Sequence, residues 1–271
     1  MDYLSRDTSP LAPELWAQLD AAVVKVARSV LTGRRVLHLN GPLGAGVTTA
    51  AIDDADARAE RIENGFITSG GRRLVEIPTL YEDFALLARD VAASEKAGTP
   101  LDLSAVYAAA QAAALREDRL IFQGNEALGY EGLLSAAGVN RLSRSDWAVG
   151  ENAFSDVANA IDTLVSGGVF GTYTLVLSPT LSTQLQRLQP GTGLLELDRV
   201  SKLVGGQLYK SPVLGKEQAV LLCAQPENMD LVVGQDLAAA YLEQRDLNHH
   251  FRLVESVLLR IKRRQAIVVL A

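Results

Sequence analysis

Apolar and polar residues alternate most clearly near the C-terminus. From His249 to Lys262, Phe251, Leu253, Val257, Leu259 and Ile261 fall on one side of a period-two pattern, with Glu255 the one intruder. His250, Arg252, Ser256, Arg260 and Lys262 fall on the other side, with Val254 and Leu258. That period is the signature of a half-buried strand. The run Leu231-Val232-Val233 is broken by Gly234, and Gln235-Asp236 links it to Leu237 through Tyr241. Ala266 to Leu270 closes the chain with another apolar run. The stretch Met229 to Ala271 is therefore expected to be the spine on which earlier helices pack, with its last strand tied into a sheet.

Other segments repeat at three and four residues. Pro13 suits a first helical turn. Leu15, Leu19, Ala22, Val23, Val26, Val30 and Leu31 then predict an amphipathic helix ending at Gly33. Arg34 to Leu39 reads as a short strand, and Gly41 to Gly46 as a loop. Pro78 is expected to open a second helix, with Leu80, Phe84, Leu87 and Val91 on one face and a stop at Lys96-Ala97-Gly98. Ser104 is a suitable N-cap for an alanine-rich helix over Ala105 to Leu120.

Residues 47 to 75 break the pattern. Asp53, Asp54, Asp56 and Glu60 alternate with small residues, and Asn64-Gly65 is a hairpin signal inside Arg61 to Ile67. A long polar stretch without a core pattern is unusual in a compact domain. It is expected to project as an arm and pack on something else, such as another subunit.

The second half is mixed. Residues 125 to 150 read as loop. Asn152 or Ser155 is expected to cap a helix with Phe154, Val157, Ile161 and Leu164 inward, ended by Gly167-Gly168. Thr172 to Leu177 and Val220 to Leu222 read as strands. Thr180 to Leu188 and Leu194 to Val204 read as short elements, and Gly205 to Pro212 as a turn and exposed loop. The class is α+β.

Composition narrows the function. The chain has 271 residues, 48% hydrophobic and 21% charged, which suits a folded globular protein. A net charge of −6 argues against non-specific nucleic-acid binding. Lys262-Arg263-Arg264 is the one dense basic cluster and reads as a solvated strand end. Cys223 is the sole cysteine, so no internal disulfide can form, and its apolar surroundings mark a buried, inert thiol. The N-terminus has no apolar core of a signal peptide, and no run approaches about 18 apolar residues. The chain reads as soluble and cytoplasmic, with no membrane partner.

No catalytic set can be assembled. Gly41-Pro42-Leu43-Gly44-Ala45-Gly46-Val47-Thr48 nearly matches a phosphate-binding loop, but Val47 stands where the lysine belongs and Pro42 lacks a backbone donor. It reads as a structural turn. His249 and His250 would point to opposite faces of a strand, and His38 lies far off, so no metal site is expected. The Asp53, Asp54, Asp56 group lacks the spacing of a calcium loop.

Several strings fall in a telling order. They are Gly33-Arg34-Arg35, Gly41-Pro42-Leu43-Gly44, Asp118 through Gly124, Gly132-Leu133-Leu134-Ser135, Gly171 through Leu177, and Gly234-Gln235-Asp236-Leu237. In this order and spacing, the chain resembles the encapsulins, bacterial nanocompartment shell proteins of the linocin-like family, over essentially its whole length. The resemblance implies a Hong Kong 97-type phage capsid fold with a peripheral domain, an extended loop and an axial domain. It divides the chain into 1–46, the first helix and part of the peripheral domain; 47–75, the extended loop; 76–135, peripheral helices; 136–224, the axial domain; and 225–271, the C-terminal strands of the peripheral domain. Gly205, Gly206, Gln207, Leu208, Tyr209, Lys210, Ser211 and Pro212 would line a pore.

The same resemblance implies self-assembly into an icosahedral shell of about 60 copies. The shell would enclose a dye-decolourising peroxidase or a ferritin-like iron oxidase, held by its C-terminal targeting peptide. Carried over by position, the peptide groove would involve Val26, Val30, Leu31, Arg34, His38, Asp236, Leu237 and Ala239. Some relatives bind flavin through a tryptophan in the helix after the extended loop. Pro78 to Asp90 has none, so no cofactor is expected. A nucleotide hydrolase using the Gly41–Thr48 loop, or a phage head protein without cargo, are the rival readings. A helix starting near residue 13 leaves the second no room for a scaffold-like leader.

Overall fold

The computed structural model describes residues 3–271, apart from Asp56, Pro190 and Thr192. The first helix, α1 (Pro13–Val30), starts on its proline and buries Leu15, Trp16, Leu19, Ala22 and Val23. It stops at Leu31, short of the expected Gly33. Arg34 to Leu39 is not a strand: a helical turn, α2 (Gly33–Val36), precedes the two-residue β1 (Leu39–Asn40). Buried Asp118 explains the turn, because its carboxylate accepts the N–H groups of Thr32 and Gly33 at 2.9 Å and fixes a helix start there. Gly33 suits the close approach here: a Cβ would lie 2.5 Å from Cδ1 of Ile121, which would have to shift.

The polar arm is present. β2 (Thr49–Asp53) pairs with β5 (Arg72–Glu76), and β3 (Ala59–Glu63) with β4 (Phe66–Gly70). Asn64 and Gly65 turn the hairpin with φ of 52° and 82°, both in the region a type I′ turn requires. Asp53 is paired with Arg72 rather than simply solvated. Asp56, grouped with Asp53 and Asp54 in the sequence, lies outside the described residues.

The segment after Pro78 departs from expectation. It forms a strand, β6 (Thr79–Leu87), and the helix α3 (Ala88–Ala97) begins only afterwards. Leu80, Phe84 and Leu86 point inward at period two, while Tyr81, Asp83 and Leu87 point outward. The apolar set fits both periods, and pairing with the spine decides between them. Helix α4 (Ser104–Gln123) runs past Leu120 to Gln123, and Gly124, at φ 75°, ends it. Ser104 is its first residue, not its cap; the side chain of Asp102 accepts the Ser104 N–H at 2.9 Å. A two-residue pair, β7 (Gly124–Asn125) and β8 (Tyr130–Glu131), follows.

The second half continues with β9 (Asn140–Leu142), α5 (Asn152–Ser166), β10 (Thr174–Leu177), α6 (Pro179–Gln184) and α7 (Glu196–Leu203). Neither Asn152 nor Ser155 caps α5; Glu151 holds that position without a side-chain bond. Next come β11 (Leu208–Lys210), β12 (Ala219–Leu222), β13 (Met229–Val233), β14 (Ala238–Arg245), β15 (Asn248–Ile261) and β16 (Ile267–Leu270). The stretch 205–212 is not an exposed loop throughout. Only its Gly205-Gly206 turn and the tips Lys210 and Pro212 are exposed, β11 pairs in parallel with β10, and Ser211 is fully buried.

Among the described residues, the strands make two five-stranded sheets and three two-stranded ribbons. The first sheet is centred on β15, which pairs with β13, β14 and β6. The second runs β11-β10-β12-β16-β9. The last strand therefore leaves the first sheet and joins the second, between β12 and β9. Phe251 joins the layers: it stacks on Phe84 at 5.0 Å and meets Trp16 edge-on at 5.7 Å, seating α1 against the spine.

Candidate functional site

The exposed flank of α1 and the link between β13 and β14 enclose an open groove of about 360 Å³. Its walls are Val23, Val24, Ala27, Arg28 and Leu31 from α1 and its end, Arg34 and Arg35 from α2, and Asp236 and Leu237 opposite. Of the expected residues, Leu31, Arg34, Asp236 and Leu237 meet here. Val26 packs against the α1–spine core, and Ala239 is fully buried in that core. Val30 and His38 do not line the groove either. The signal for the missed residues was available: Val23, Ala27 and Leu31 are spaced by four and share one helical stripe. Val26 and Val30 lie on a stripe about 100° further round.

The groove has an electrostatic foundation. Nε of Arg34 donates to Glu117 at 2.8 and 3.0 Å, Nη1 to Asp236 at 2.5 Å, and Nη2 to Glu255 at 3.0 Å. Glu117 and Glu255 are fully buried. Burial opposes the Arg34 charge, but Glu117, Asp236 and Glu255 outweigh it and hold the guanidinium ionised. Burial pushes the Glu255 carboxyl well above the usual carboxylate range, and the charge of Glu117 adds to the effect. Next to Glu117, burial lifts Asp118 to about 6, against the pull of the Gly33 and Thr32 N–H groups. Arg35 donates to the carbonyl of Arg28, closing the end of α1.

The other candidate sites resolve as structure. The Gly41–Thr48 loop leads into a strand, not a helix, and spends its donors on the chain: Leu43 N–H on Val233 O and Gly44 N–H on Gly234 O, both at 2.9 Å. His249 is buried, 3.4 Å from the Tyr241 hydroxyl, while His250 is half-exposed. Among the described residues, no three His, Cys, Asp or Glu side chains group as a metal site, and no helix is long and apolar enough to cross a membrane.

A long helix laid on a central sheet, an arm of two two-stranded ribbons and a second five-stranded sheet define a capsid-type subunit. Solved structures agree. A virus-like particle from Pyrococcus furiosus matches with a TM-score of 0.77 at 21% identity, covering 95% of this chain and all of that one. The capsid of Myoviridae phage XM1 matches at 0.62 and 15% identity, over 89% of this chain and 91% of that one. The family described as "Encapsulating protein for peroxidase" (Linocin_M18) matches residues 1–258. A type 1 encapsulin shell protein of Myxococcus xanthus is 40% identical over 99% of this chain and 96% of its own length. A diheme-cytochrome–encapsulin shell fusion protein of Kuenenia stuttgartiensis is 38% identical over 95% of this chain and 72% of its own. The chain belongs to the encapsulin shell protein family.

Proposed function

We propose that about 60 copies of the chain close into an icosahedral shell around a cargo enzyme, with the groove along α1 as the seat of the cargo's C-terminal targeting peptide. The groove carries this reading. It combines apolar walls from Val23, Val24, Ala27, Leu31 and Leu237 with charged groups at its rim, the combination that orients an extended peptide. The role is structural, in the cytoplasm. The cargo is a dye-decolourising peroxidase or a ferritin-like iron oxidase; the family's description supports the first. The arm supports assembly: Ile62, Phe66, Ile67 and Leu74 are 69–76% exposed, an apolar surface suited to a neighbouring subunit. Pores for small substrates would form where the second-sheet ends converge, with Gly205–Pro212 contributing its exposed turn.

Co-expression tests the groove. A fluorescent protein ending in the tail of a neighbouring peroxidase or ferritin-like gene product is produced with the parent shell or with Ala27→Trp. The expected result is intact shells in both cases, with loading lost in the variant. Undiminished loading of Ala27→Trp shells would remove the groove from the account.

A further inference from the structure

The Nε/Nη2 edge of an arginine is a fork that fits one carboxylate. Arg72 uses it so on Asp53, at 2.6 and 3.1 Å, and Arg252 on Asp83, at 2.7 and 2.8 Å. Arg34 splits the fork. Its Nε serves both oxygens of Glu117, and its Nη2 serves Oε2 of Glu255. Two fully buried carboxyl groups are thereby drawn together on one guanidinium. The second oxygen of Glu255, Oε1, is buried and meets no hydrogen-bond donor. Ionised carboxylates only accept, so two of them held against one guanidinium and out of water have no donor between them unless one carries a proton.

We propose that Glu117 and Glu255 share one proton, resident on Glu255, and that Arg34 is consequently a positioning residue of the groove wall rather than the cation that meets an occupant. The location follows from the geometry. Both Glu117 oxygens face Arg34 Nε, so a proton there would oppose an N–H donor, whereas Oε1 of Glu255 has no donor to oppose. The charges follow too. One positive guanidinium and one negative pair make a neutral buried unit, while two ionised carboxylates would bury net negative charge at a large penalty. The fourth charge, Asp236, stays partly in water. Asp118, the remaining carboxyl at this junction, is engaged with the backbone of Thr32 and Gly33. The raised proton affinity of Glu255 agrees with the assignment. Arg34 thus ties α2 to α4 and β15, and an occupant reaches its Nη1 only by displacing Asp236. The wall role rests on the groove reading; the shared proton does not.

The test compares Glu255→Gln with Glu117→Gln in the assembled protein. Glutamine at 255 keeps an oxygen for Arg34 and supplies an N–H to Glu117, so its unfolding midpoint should stay within about 2 °C of the parent. Glutamine at 117 takes the ionised partner from Arg34, and only Glu255, by giving up its proton, can replace it, so a larger fall, of roughly 6 °C or more, is expected. Infrared spectra at pH 7.5 should show a protonated-carboxyl C=O band that shifts in D₂O, persists in Asp118→Asn and disappears in Glu255→Gln. Equal losses in the two glutamine variants, or no band removed by Glu255→Gln, would overturn the proton assignment. If that asymmetry holds but Ala27→Trp shells still load, the wall role falls and the proton stands.

Discussion

Asp230 and Arg260 stand directly opposite each other on β13 and β15 and are joined by two parallel bonds of 2.7 and 2.6 Å. Lys262 adds a third, at 2.8 Å, and Arg260 also reaches the carbonyl of Ala51 at 3.2 Å. One nearly buried ion pair therefore links the spine to the base of the arm. Asp230→Ala leaves two cations short of a partner, and breaking such a pair costs about 3–5 kcal/mol. Denaturant unfolding of the variant should show a loss of that size. A change under about 1 kcal/mol would mean that the pair is solvent-screened.

The arm should matter to assembly and not to the subunit. Ile62 and Ile67 oppose each other across the hairpin and are largely exposed. Changing both to Asp should alter subunit stability by no more than about 0.5 kcal/mol, yet light scattering should show shells replaced by small species. Shells forming normally would exclude the arm as a contact.

Asp118 gives a pH dependence whose sign can be worked out. Its carboxyl titrates near 6 in the fold, above its ordinary 3.8. The folded chain then binds more protons than the unfolded one between those values, so this group's contribution to stability rises as pH falls through 6. Its ionised burial opposes folding at neutral pH by about 3 kcal/mol. Asp118→Asn retains an acceptor for Thr32 and Gly33 and should flatten the stability curve between pH 4 and 6. A slope equal to the parent's would reassign the effect.

His249 acts in the opposite direction. Burial lowers its proton affinity, with Glu95 opposing weakly. Its contribution to stability is therefore present above the ordinary 6.5 and declines as pH falls below it. Shell integrity followed from pH 8 to 5 should improve on the acid side for His249→Gln and change little for His250→Gln. Identical curves for both variants and parent would discard His249 as the source of an acid-side loss.

The groove should discriminate by shape and by the single solvent-open acid. Val24→Asp places a charge among the apolar wall residues and should reduce cargo loading about tenfold or more, since an unpaired charge against an apolar anchor opposes binding by over 1.4 kcal/mol. Loading measured by co-purified fluorescence checks this, with shell yield as the control.

What the sequence disclosed followed from how local each cause is. The spine was legible because Phe251, Leu253, Val257 and Leu259 state their own period. The hairpin was legible because Asn64-Gly65 carries its turn chemistry in two residues. β6 was not, since Leu80 and Phe84 fit a helix as well as a strand, and only the nine-residue pairing with β15 separates them. The groove was half legible: family position brought in Leu31, Arg34, Asp236 and Leu237, but the phase of α1 was set one residue off. The cage around Arg34 was beyond reach, because Glu117 and Glu255 stand 83 and 221 residues away along the chain.

The place of β15 at the middle of its sheet also dictates when that sheet can exist. β6 is complete at Leu87, but its partner begins at Asn248, about 160 residues later. At ribosomal speeds of about 5–20 residues per second, β6 waits roughly 8–30 s without its neighbour. Its apolar side, Phe84 and Leu86, has meanwhile only helices to lean on. Contacts of such high sequence separation make for slow closure. The arm, whose strands pair locally, can be ready long before the body that carries it. Nascent chains thus present a finished hook on an unfinished base.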